Sequence, residues 1–246
     1  MQLVTIIMPY YKKIDYVSNA INSITQQTYQ NYELLIVYDD PNENDLSKLK
    51  EIISNNKKIK IIKNTKNLGA GFSRNIGIKN ANGEILSFID ADDEWSNDKL
   101  EKQLNFLNKF NYDFIFCSYI KKNKSKIKNI IYQYEFIDYK KLLYSCDIGL
   151  STVMIKKEII NDNLFPNLKT QEDYVAWLRV TKDNYKAYNL KDILVTWNQV
   201  NNSLSSNFFQ KLIDGFNVYK IYLNFSLFKS FYHLLILATN SLKRKF

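Results

Sequence analysis

The first half of the chain alternates short apolar runs with segments that read as helices. Apolar runs occupy 3–8, 34–38 and 85–89, and helical segments such as 15–27 and 70–81 lie between them. This alternation is typical of βαβ units, which place helices on both faces of a parallel or mixed sheet. The pattern therefore predicts an α/β fold whose ligands bind beyond the carboxyl ends of the strands.

The pattern becomes less regular in the second half of the chain. In the first half, further helices are expected at 45–54 and 98–110 and further strands at 59–62 and 113–119. In the second half, helices are expected at 138–146, from 156 and at 171–183, and strands at 151–155 and 193–199. Residues 207–243 read as helical and are rich in aromatic side chains. Because the sequence shows no internal repeat and no evident linker, we expect one domain with a C-terminal helical extension.

Composition narrows the classes of function that the chain can support. Its 246 residues are 46% hydrophobic, which favours a packed core over a disordered chain. Two cysteines are too few for a disulfide framework, and the single histidine, His233, argues against a Ser-His-Asp triad or a multi-histidine metal site. The N-terminal apolar run ends at Pro9 without a basic leader, and the uncharged run at 230–242 is too short to span a bilayer. We therefore expect a cytoplasmic protein, soluble or peripheral.

The net charge of +9 is distributed unevenly. Residues 1–120 hold 14 basic and 15 acidic side chains, whereas 121–246 hold 20 basic and 10 acidic ones. No acidic residue follows Asp214, and the aromatic stretch at 216–246 is interrupted by lysines and ends in basic residues. The second half therefore favours an anionic partner, and its last stretch suits a helix lying on anionic lipid. A helix pair packed on the domain, or on a second subunit in a homodimer, explains the same stretch.

Three carboxylates directly follow the fourth predicted strand, in the string Asp90-Ala91-Asp92-Asp93. Neighbouring carboxylates repel one another unless a cation or hydrogen-bond donors neutralise them. Hard oxygen ligands suit Mg²⁺ or Mn²⁺, which in turn bind diphosphate oxygens. Capping of the next helix would need only one of the three acids, so the cluster predicts a metal site.

Two other segments place polar groups at the ends of predicted elements. The glycine-rich string at 67–75 contains Arg74, one of three arginines in a lysine-rich chain, and arginine suits bidentate contacts to carboxylate or phosphate. A helix start with a surface arginine explains that string equally well. Asp39 and Asp40 end the second predicted strand, where a carboxylate can accept a hydrogen bond from a base or a ribose. An Asx turn before Pro41 accounts equally well for one of the two.

Gln171, Glu172 and Asp173 stand at the start of a predicted helix. The helix dipole stabilises acids in the first turn, so capping is one explanation. The other is a general base that deprotonates a substrate hydroxyl. A carboxylate would have to serve as that base, because the chain offers no other suitable group.

These motifs follow one another in a recognisable order. The chain reads TIIMPYYKK, SITQQTYQNYELLIVYDD, NLGAGFSRNIGIKNANGEILSFIDADDEW and then QEDYVAWLR. Over roughly the first 200 residues it resembles the bacterial family 2 glycosyltransferases, which have the GT-A fold. The string from Asn67 to Trp95 is the most specific part, because its glycines, arginine and acids keep the family's order and spacing.

The resemblance implies an inverting transfer of a sugar from a nucleotide-sugar, UDP by default, to a hydroxyl of a glycan or lipid-linked glycan. It implies Mn²⁺ or Mg²⁺ as the cofactor. It also implies a role in lipopolysaccharide, lipooligosaccharide or capsule synthesis, at the inner face of the plasma membrane. A catalytic domain would cover 1–206, with a nucleotide-sugar-binding half at 1–120 and an acceptor-side half at 121–206, and the extension would cover 207–246.

The resemblance also assigns site residues. Those on the donor side are Pro9, Tyr10 and Tyr11 beside the nucleotide, Asp39 at the base with Asp40 close by, Arg74, Asp90 with Ala91, and Asp92. Asp92 would ligate the metal, and Asp90 would bind the ribose or metal-bound groups. On the acceptor side Asp173 would be the general base, and Glu172 and Trp197 would bind the acceptor.

The chain departs from the family pattern at three places. Asp15 stands where the family often has Glu, and Pro-Asn at 41–42 replaces the usual Gly-Ser. Asn198 and Val200 replace the Arg and His that often precede a late Ser-x-Ser, here at 203–205. The last departure leaves the identity of the diphosphate contacts open.

Two other functions are alternatives at this point. A sugar-phosphate nucleotidyltransferase would carry a glycine-rich signature after the first strand, which Pro9-Tyr10-Tyr11 does not provide. A nucleic-acid-binding module is suggested by the charge alone, but the basic residues lie outside the motifs and form no recognition signature. We therefore expect no nucleic-acid partner.

Overall fold

The computed structural model describes residues 1–54, 56–123, 126–199 and 208–243. Predictions for Val200, for the Ser-Leu-Ser segment at 203–205 and for the basic residues Arg244 and Lys245 lie outside the described residues. The predicted boundary between 206 and 207 also lies outside them.

The strands and helices follow the order that the sequence predicts for the first half. The strands are β1 (Val4–Tyr10), β2 (Tyr32–Tyr38), β3 (Ile59–Lys63), β4 (Ile85–Phe88), β5 (Glu94–Trp95), β6 (Phe114–Lys122), β7 (Ile127–Ile130), β8 (Phe136–Ile137), β9 (Met154–Lys156) and β10 (Ala187–Asn198). The helices are α1 (Ile14–Thr25), α2 (Leu46–Ile53), α3 (Ala70–Asn80), α4 (Lys99–Phe110), α5 (Tyr139–Leu142), α6 (Glu172–Lys182), α7 (Phe208–Asn217) and α8 (Leu227–Lys243). Short 3₁₀ turns cover Leu150–Thr152 and Lys157–Ile159, and a π-helical turn covers Val218–Tyr222.

The described strands form one mixed sheet. Its main path runs β3-β2-β1-β4-β9-β6-β10-β5, with β7 beside β6 and β8 beside β10. Strands β3, β2, β1 and β4 are parallel, whereas β9 is antiparallel to both β4 and β6. Because β2, β1 and β4 are parallel neighbours, the segments 39–40, 11–13 and 90–93 that follow them lie at the same end of the sheet.

Two apolar cores cover the opposite faces of the sheet. Successive side chains of a strand point to opposite faces, so Ile6 and Met8 of β1 join one core and Ile7 joins the other. Helices α1, α2 and α4 cover the first core, and α3 and α6 cover the second, where Trp177 is fully buried. The prediction of an α/β fold with helices on both faces is confirmed.

The second half contains the larger departures from the sequence prediction. The helix expected from 156 is the single 3₁₀ turn Lys157–Ile159, because the following Asn161 accepts the Asn163 N–H in a side-chain turn. The helix expected over 138–146 covers only Tyr139–Leu142. Strand β10 begins at residue 187, six residues before the prediction, and the two-residue strands β5 and β8 are too short for alternation to reveal.

The C-terminal extension packs against the second core. Val218, Tyr219 and Leu237 are buried there with residues of α5 and α6. The Tyr219 hydroxyl lies 3.0 Å from that of Tyr174 on α6 and donates to the carbonyl of Leu143. None of the helices within the described ranges is long and apolar enough to cross a bilayer.

Candidate functional site

Arg74 joins the predicted donor-side and acceptor-side carboxylates. Its Nη2 lies 2.8 Å from Asp90 Oδ1, and its Nη1 lies 2.7 Å from Glu172 Oε1. The side chain belongs to α3 and is only 3% exposed. Burial lowers the pKa of Arg74, but the charges of Asp90 and Glu172 outweigh it and raise the pKa above its ordinary value. One guanidinium therefore holds together two acids that lie far apart in the sequence.

Asp92 has a cationic partner that the sequence did not single out. Lys13 Nζ, from the loop between β1 and α1, lies 2.7 Å from Asp92 Oδ2. Burial and the neighbouring charge of Asp90 raise the pKa of Asp92, and the Lys13 ammonium offsets part of that rise. Two internal cations, Lys13 and Arg74, thus neutralise the two predicted metal ligands.

Asp93 is a structural member of the acidic turn. It is buried, accepts a 2.5 Å hydrogen bond from Ser151 Oγ, and accepts the backbone N–H of Asn198 at 3.2 Å. Burial, followed by the charge of Asp90, raises its pKa well above the ordinary range. The Asn198 amide also donates to the Asp92 carbonyl at 2.8 Å. The end of β10 is therefore fastened to the acidic turn.

Asp90 and Asp92 meet the requirements of a hard divalent cation. Such ions are commonly bound by one or two carboxylates, with water and substrate phosphates completing the coordination. Across the described residues, no three His, Cys, Asp or Glu side chains are grouped closely enough to hold a metal by themselves. The donor set therefore fits a cation whose coordination is completed by a phosphate-bearing ligand.

Asp39 holds the loop that precedes α3. Its carboxylate accepts the backbone N–H groups of Leu68 and Gly69, each at 2.8 Å, and the amide of Asn64 at 2.7 Å. Gly69 has φ +84°, a conformation that glycine adopts without steric cost. Both Asp39 oxygens are thus engaged within the protein.

Asp40, in contrast, retains an unused acceptor. Its Oδ1 accepts the Asn42 N–H at 3.2 Å, while Oδ2 is buried and has no hydrogen-bond partner among the described residues. A buried carboxylate oxygen without a donor is costly, and a ligand N–H or hydroxyl would satisfy it. Asp40 is therefore the better-placed of the pair to bind a ligand.

The three residues predicted to lie beside the nucleotide occupy different environments. Tyr10 is fully buried, stacks on Tyr38 at 5.2 Å and donates its hydroxyl to Asp45 at 2.7 Å. Pro9 is partly buried, and Tyr11 is 45% exposed. Tyr11 is thus the most exposed of the three, and Lys12 Nζ lies 5.1 Å from its ring centre.

Asp173 lies in the first turn of α6, next to the Arg74-bound Glu172. Its pKa is raised to about 7 by burial and then by the charge of Glu172, and the Arg74 charge offsets part of this rise. Its Oδ1 accepts the Tyr174 N–H at 2.8 Å. A carboxylate that titrates near neutral pH can take a proton from a substrate hydroxyl at that pH.

Trp197 lies one residue before the Asn198 that binds the acidic turn. Its ring packs edge-on against Tyr119 at 6.2 Å, and Lys121 Nζ lies 4.8 Å from the ring centre. Trp197 thus lies at the end of β10 that is held to the acidic turn through Asn198. In the order of the sheet, β10 and β1 lie on opposite sides of β4, the strand that leads into this turn.

Comparisons with known proteins identify the family and the fold. The model of glycosyl transferase family 2 matches residues 5–184. The chain is 36% identical over 211 residues to the UDP-Glc:alpha-D-GlcNAc-diphosphoundecaprenol beta-1,3-glucosyltransferase WfgD of Escherichia coli, covering 85% of this chain and 82% of WfgD.

Solved structures share the fold. That of S. aureus TarS 1-349 in complex with UDP-GlcNAc superposes with a TM-score of 0.75 at 19% identity, covering 95% of this chain and 70% of TarS. That of the mannosyltransferase PcManGT from Pyrobaculum calidifontis, in complex with GDP-Man and Mn²⁺, gives 0.69 at 15% identity, covering 94% of this chain and 69% of PcManGT. With its GT-A fold and a family match over most of its length, this chain belongs to glycosyl transferase family 2 and is a glycosyltransferase.

Proposed function

We propose that this protein is an inverting, metal-assisted glycosyltransferase that moves a sugar from a UDP-sugar to a hydroxyl of a lipid-linked glycan. The observation that carries the proposal is the Arg74 bridge, which sets the acidic turn beside Glu172 and Asp173. A donor diphosphate and an acceptor hydroxyl would then meet at one place. WfgD acts with UDP-Glc on a diphosphoundecaprenol-linked sugar, and TarS binds UDP-GlcNAc, which supports this choice of substrates.

On the donor side, the free Asp40 oxygen would accept the N–H of the uracil base, and Tyr11 would lie against the nucleotide. Asp39, whose two oxygens both accept hydrogen bonds within the protein, would act indirectly by holding the loop at Leu68 and Gly69. Pro9 and Tyr10 would form the floor behind this surface. In this arrangement Asp40 would contact the base and Asp39 would hold the loop, whereas the family resemblance assigns the contact with the base to Asp39.

Asp90 and Asp92 would hold Mn²⁺ or Mg²⁺. When bound, such a cation offsets the negative charge that develops on a departing nucleoside diphosphate. Lys13 and Arg74, which pair with these carboxylates, would supply positive charge toward the diphosphate oxygens. PcManGT, whose structure contains Mn²⁺, supports the choice of metal.

Asp173 would remove the proton from the acceptor hydroxyl. A single base that activates the acceptor on the face opposite the leaving group gives inversion at the anomeric carbon. Glu172 would keep Arg74 in place and contact the acceptor, and Trp197 would flank it. The catalytic domain would cover 1–206, with donor and acceptor halves at 1–120 and 121–206.

The extension at 207–246 would lie on the cytoplasmic face of the membrane, where lipid-linked acceptors are held. Its outward face carries exposed apolar side chains: Phe209, Ile213, Ile221, Leu227, Phe228, Phe231, Tyr232 and Leu235. Lysines 220 and 229 accompany them, and no acid follows Asp214. This combination suits an anionic lipid surface. A surface glycan such as lipopolysaccharide, lipooligosaccharide or capsule would be the product.

The test is transfer itself. The protein is incubated with a panel of UDP- and GDP-sugars, Mn²⁺ and a lipid-diphosphate-linked sugar, and the anomeric configuration of the product is read by NMR. We expect transfer with inversion from a UDP-sugar, with Asp98→Asn, an exposed acid on the α4 side, as an active control. Product with retained configuration, or no transfer from any nucleotide-sugar, would overturn the proposal.

A further inference from the structure

The carboxylate of Asp214 on α7 is buried against the turn that leads into α6. Its Oδ2 accepts both the backbone N–H of Thr170 at 2.9 Å and the Thr170 hydroxyl at 2.8 Å. Its Oδ1 accepts the Gln210 amide at 3.0 Å. Asp214 is 3% exposed, and a carboxylate withdrawn from water requires donors such as these. The contact joins residues 44 positions apart.

The residue that follows Thr170 has a strained backbone. Gln171 has φ +63°, a left-handed conformation that non-glycine residues adopt only where the surroundings impose it. Gln171 immediately precedes Glu172 and Asp173 and sets the direction in which α6 begins. Its conformation therefore decides where the two acids point.

Helix α7 fits closely around this strained residue. The Gln171 amide lies 3.4 Å from the Lys211 carbonyl of α7. A Cβ atom placed on Gly215 would lie 3.0 Å from a Leu234 methyl on α8 and 3.3 Å from Gln171 Oε1, which is tighter than most such contacts, so α7 packs closely here. Two neighbouring residues of the extension, Asp214 and Gly215, thus fix two neighbouring residues of the base turn.

The remaining contacts of the extension are of a different kind. Val218, Tyr219 and Leu237 pack into the apolar core, and the Tyr219 hydroxyl bonds to Tyr174 and to the Leu143 carbonyl. These contacts are sufficient to attach the helices to the domain. The Asp214 carboxylate, in contrast, accepts two hydrogen bonds from Thr170, in the turn that orients the acids of α6.

We propose that Asp214 is a positioning residue for the transfer reaction and that the extension, by holding Thr170 and Gln171, completes the acceptor side of the active site. The inference rests on the proposed role of Asp173 as the base. Asp214 touches neither substrate nor the reacting atoms and acts through the conformation of the turn.

Asp214→Ala tests this directly, with Asp214→Asn as the conservative variant and Tyr219→Phe as the matched control. Tyr219→Phe removes hydrogen bonds between the same extension and the domain, at the Tyr174 hydroxyl and the Leu143 carbonyl, without touching Thr170 or Gln171. We expect Asp214→Ala to lower kcat at least tenfold while the KM and Kd for the nucleotide-sugar change less than twofold. Asp214→Asn keeps an oxygen facing Thr170 and should restore most of the rate, and Tyr219→Phe should keep the wild-type kcat.

The pH profile separates positioning from a general loss of stability. Burial and the charge of Glu172 raise the pKa of Asp173 to about 7, against the opposing charge of Arg74. A loosened turn would admit water to Asp173 and lower this pKa, so the acid limb of the kcat profile should move to lower pH in Asp214→Ala. If that variant does not fold, Thr170→Val removes one of the donors at nearly constant volume and should shift the limb in the same direction.

Two results would overturn the inference. One is a folded Asp214→Ala with wild-type kcat and acid limb, and the other is a Tyr219→Phe that loses kcat to the same extent. Asp173→Asn, measured alongside, separates the two proposals. If Asp173→Asn retains turnover, the proposed base is wrong, whereas an inactive Asp173→Asn beside a fully active Asp214→Ala contradicts only the positioning role.

Discussion

The donor-side and acceptor-side acids of this site are held by different parts of the molecule. The acidic turn at 90–93 continues a central strand of the sheet, and Lys13, Ser151 and Asn198 bind it from other strands and loops of the domain. The turn before α6 is strained and is held by Asp214 on the C-terminal extension. Under the proposed roles, donor binding would depend on the sheet, whereas the orientation of the base would depend on helices that can be altered separately.

Arg74 pairs with an acid on each of the two sides, so its removal should have the largest effect. Arg74→Met leaves Asp90 and Glu172 without their cation. Breaking a fully buried ion pair costs about 3–5 kcal/mol of stability, and the cost is smaller here because the Asp90 side chain is 38% exposed. We expect a clear fall in Tm and a loss of turnover of roughly a thousandfold, because the diphosphate and the base turn lose their shared contact.

Arg74→Lys is the matched variant for this prediction. It keeps the charge but cannot reach both carboxylates with a planar fork, so intermediate values of Tm and turnover are expected. Thermal unfolding and steady-state kinetics measure both quantities. Wild-type turnover in Arg74→Lys would show that the bridge is not required.

The outer face of the extension should affect membrane binding without affecting the donor side. Phe228 is 90% exposed and Phe231 61% exposed, and replacing both by serine removes aromatic area available to lipid. We expect binding to vesicles containing phosphatidylglycerol to weaken by roughly tenfold or more. Vesicle sedimentation at two salt concentrations measures this, and turnover on a soluble acceptor should stay unchanged.

A dimer through the same face would give a different result. Full-length protein that ignores anionic vesicles but sediments as a dimer, and becomes monomeric in the double serine variant, would replace the membrane assignment by a homodimer.

The charge on Asp173 should control the pH dependence of turnover. Asp173 must be deprotonated to act as the base, so kcat should fall as the pH is lowered through its pKa of about 7. Glu172→Gln removes the like charge that raises this pKa, and the acid limb should therefore move to lower pH by up to about one unit. A limb that stays in place in Glu172→Gln would mean that another group sets it.

Lys13 should have the smallest effect, and one confined to the donor side. Lys13→Met removes the internal cation from Asp92, so Mn²⁺ should bind roughly two- to fivefold more tightly, the range expected for a partly exposed ion pair. Mn²⁺ titration followed by EPR measures this, with the neighbouring exposed Lys12→Met as the control. Weaker Mn²⁺ binding would instead show that Lys13 contributes to the bound state.

Sequence patterns reveal the sheet and the motif acids because that information is local. The run that forms β4 leads directly into Asp90 and Asp92, and a glycine-rich string before a helix marks Arg74. The alternation of the first half also gives the order of elements and the end of the sheet at which the motifs lie. The fold class and the family follow from these features.

The partners that these residues contact from distant parts of the chain cannot be predicted from a local sequence pattern. Lys13 is one of many lysines, and its pairing with Asp92 across 79 positions depends on the neighbouring strands β1 and β4. Ser151 and Asp214 likewise reach their partners only after the sheet and α7 are in place. The hydrogen bonds from Leu68 and Gly69 to Asp39 likewise form only when the loop before α3 is folded.

Separate acids are proposed to bind the donor and to remove the acceptor proton. This division can be tested with Asp92→Asn and Asp173→Asn, measured side by side for UDP-sugar affinity with Mn²⁺ and for single-turnover transfer. We expect Asp173→Asn to bind the donor within about twofold of wild type but to transfer the sugar at least about a hundredfold more slowly. Asp92→Asn should lose both donor binding and transfer. Transfer at the wild-type rate by Asp173→Asn would contradict it.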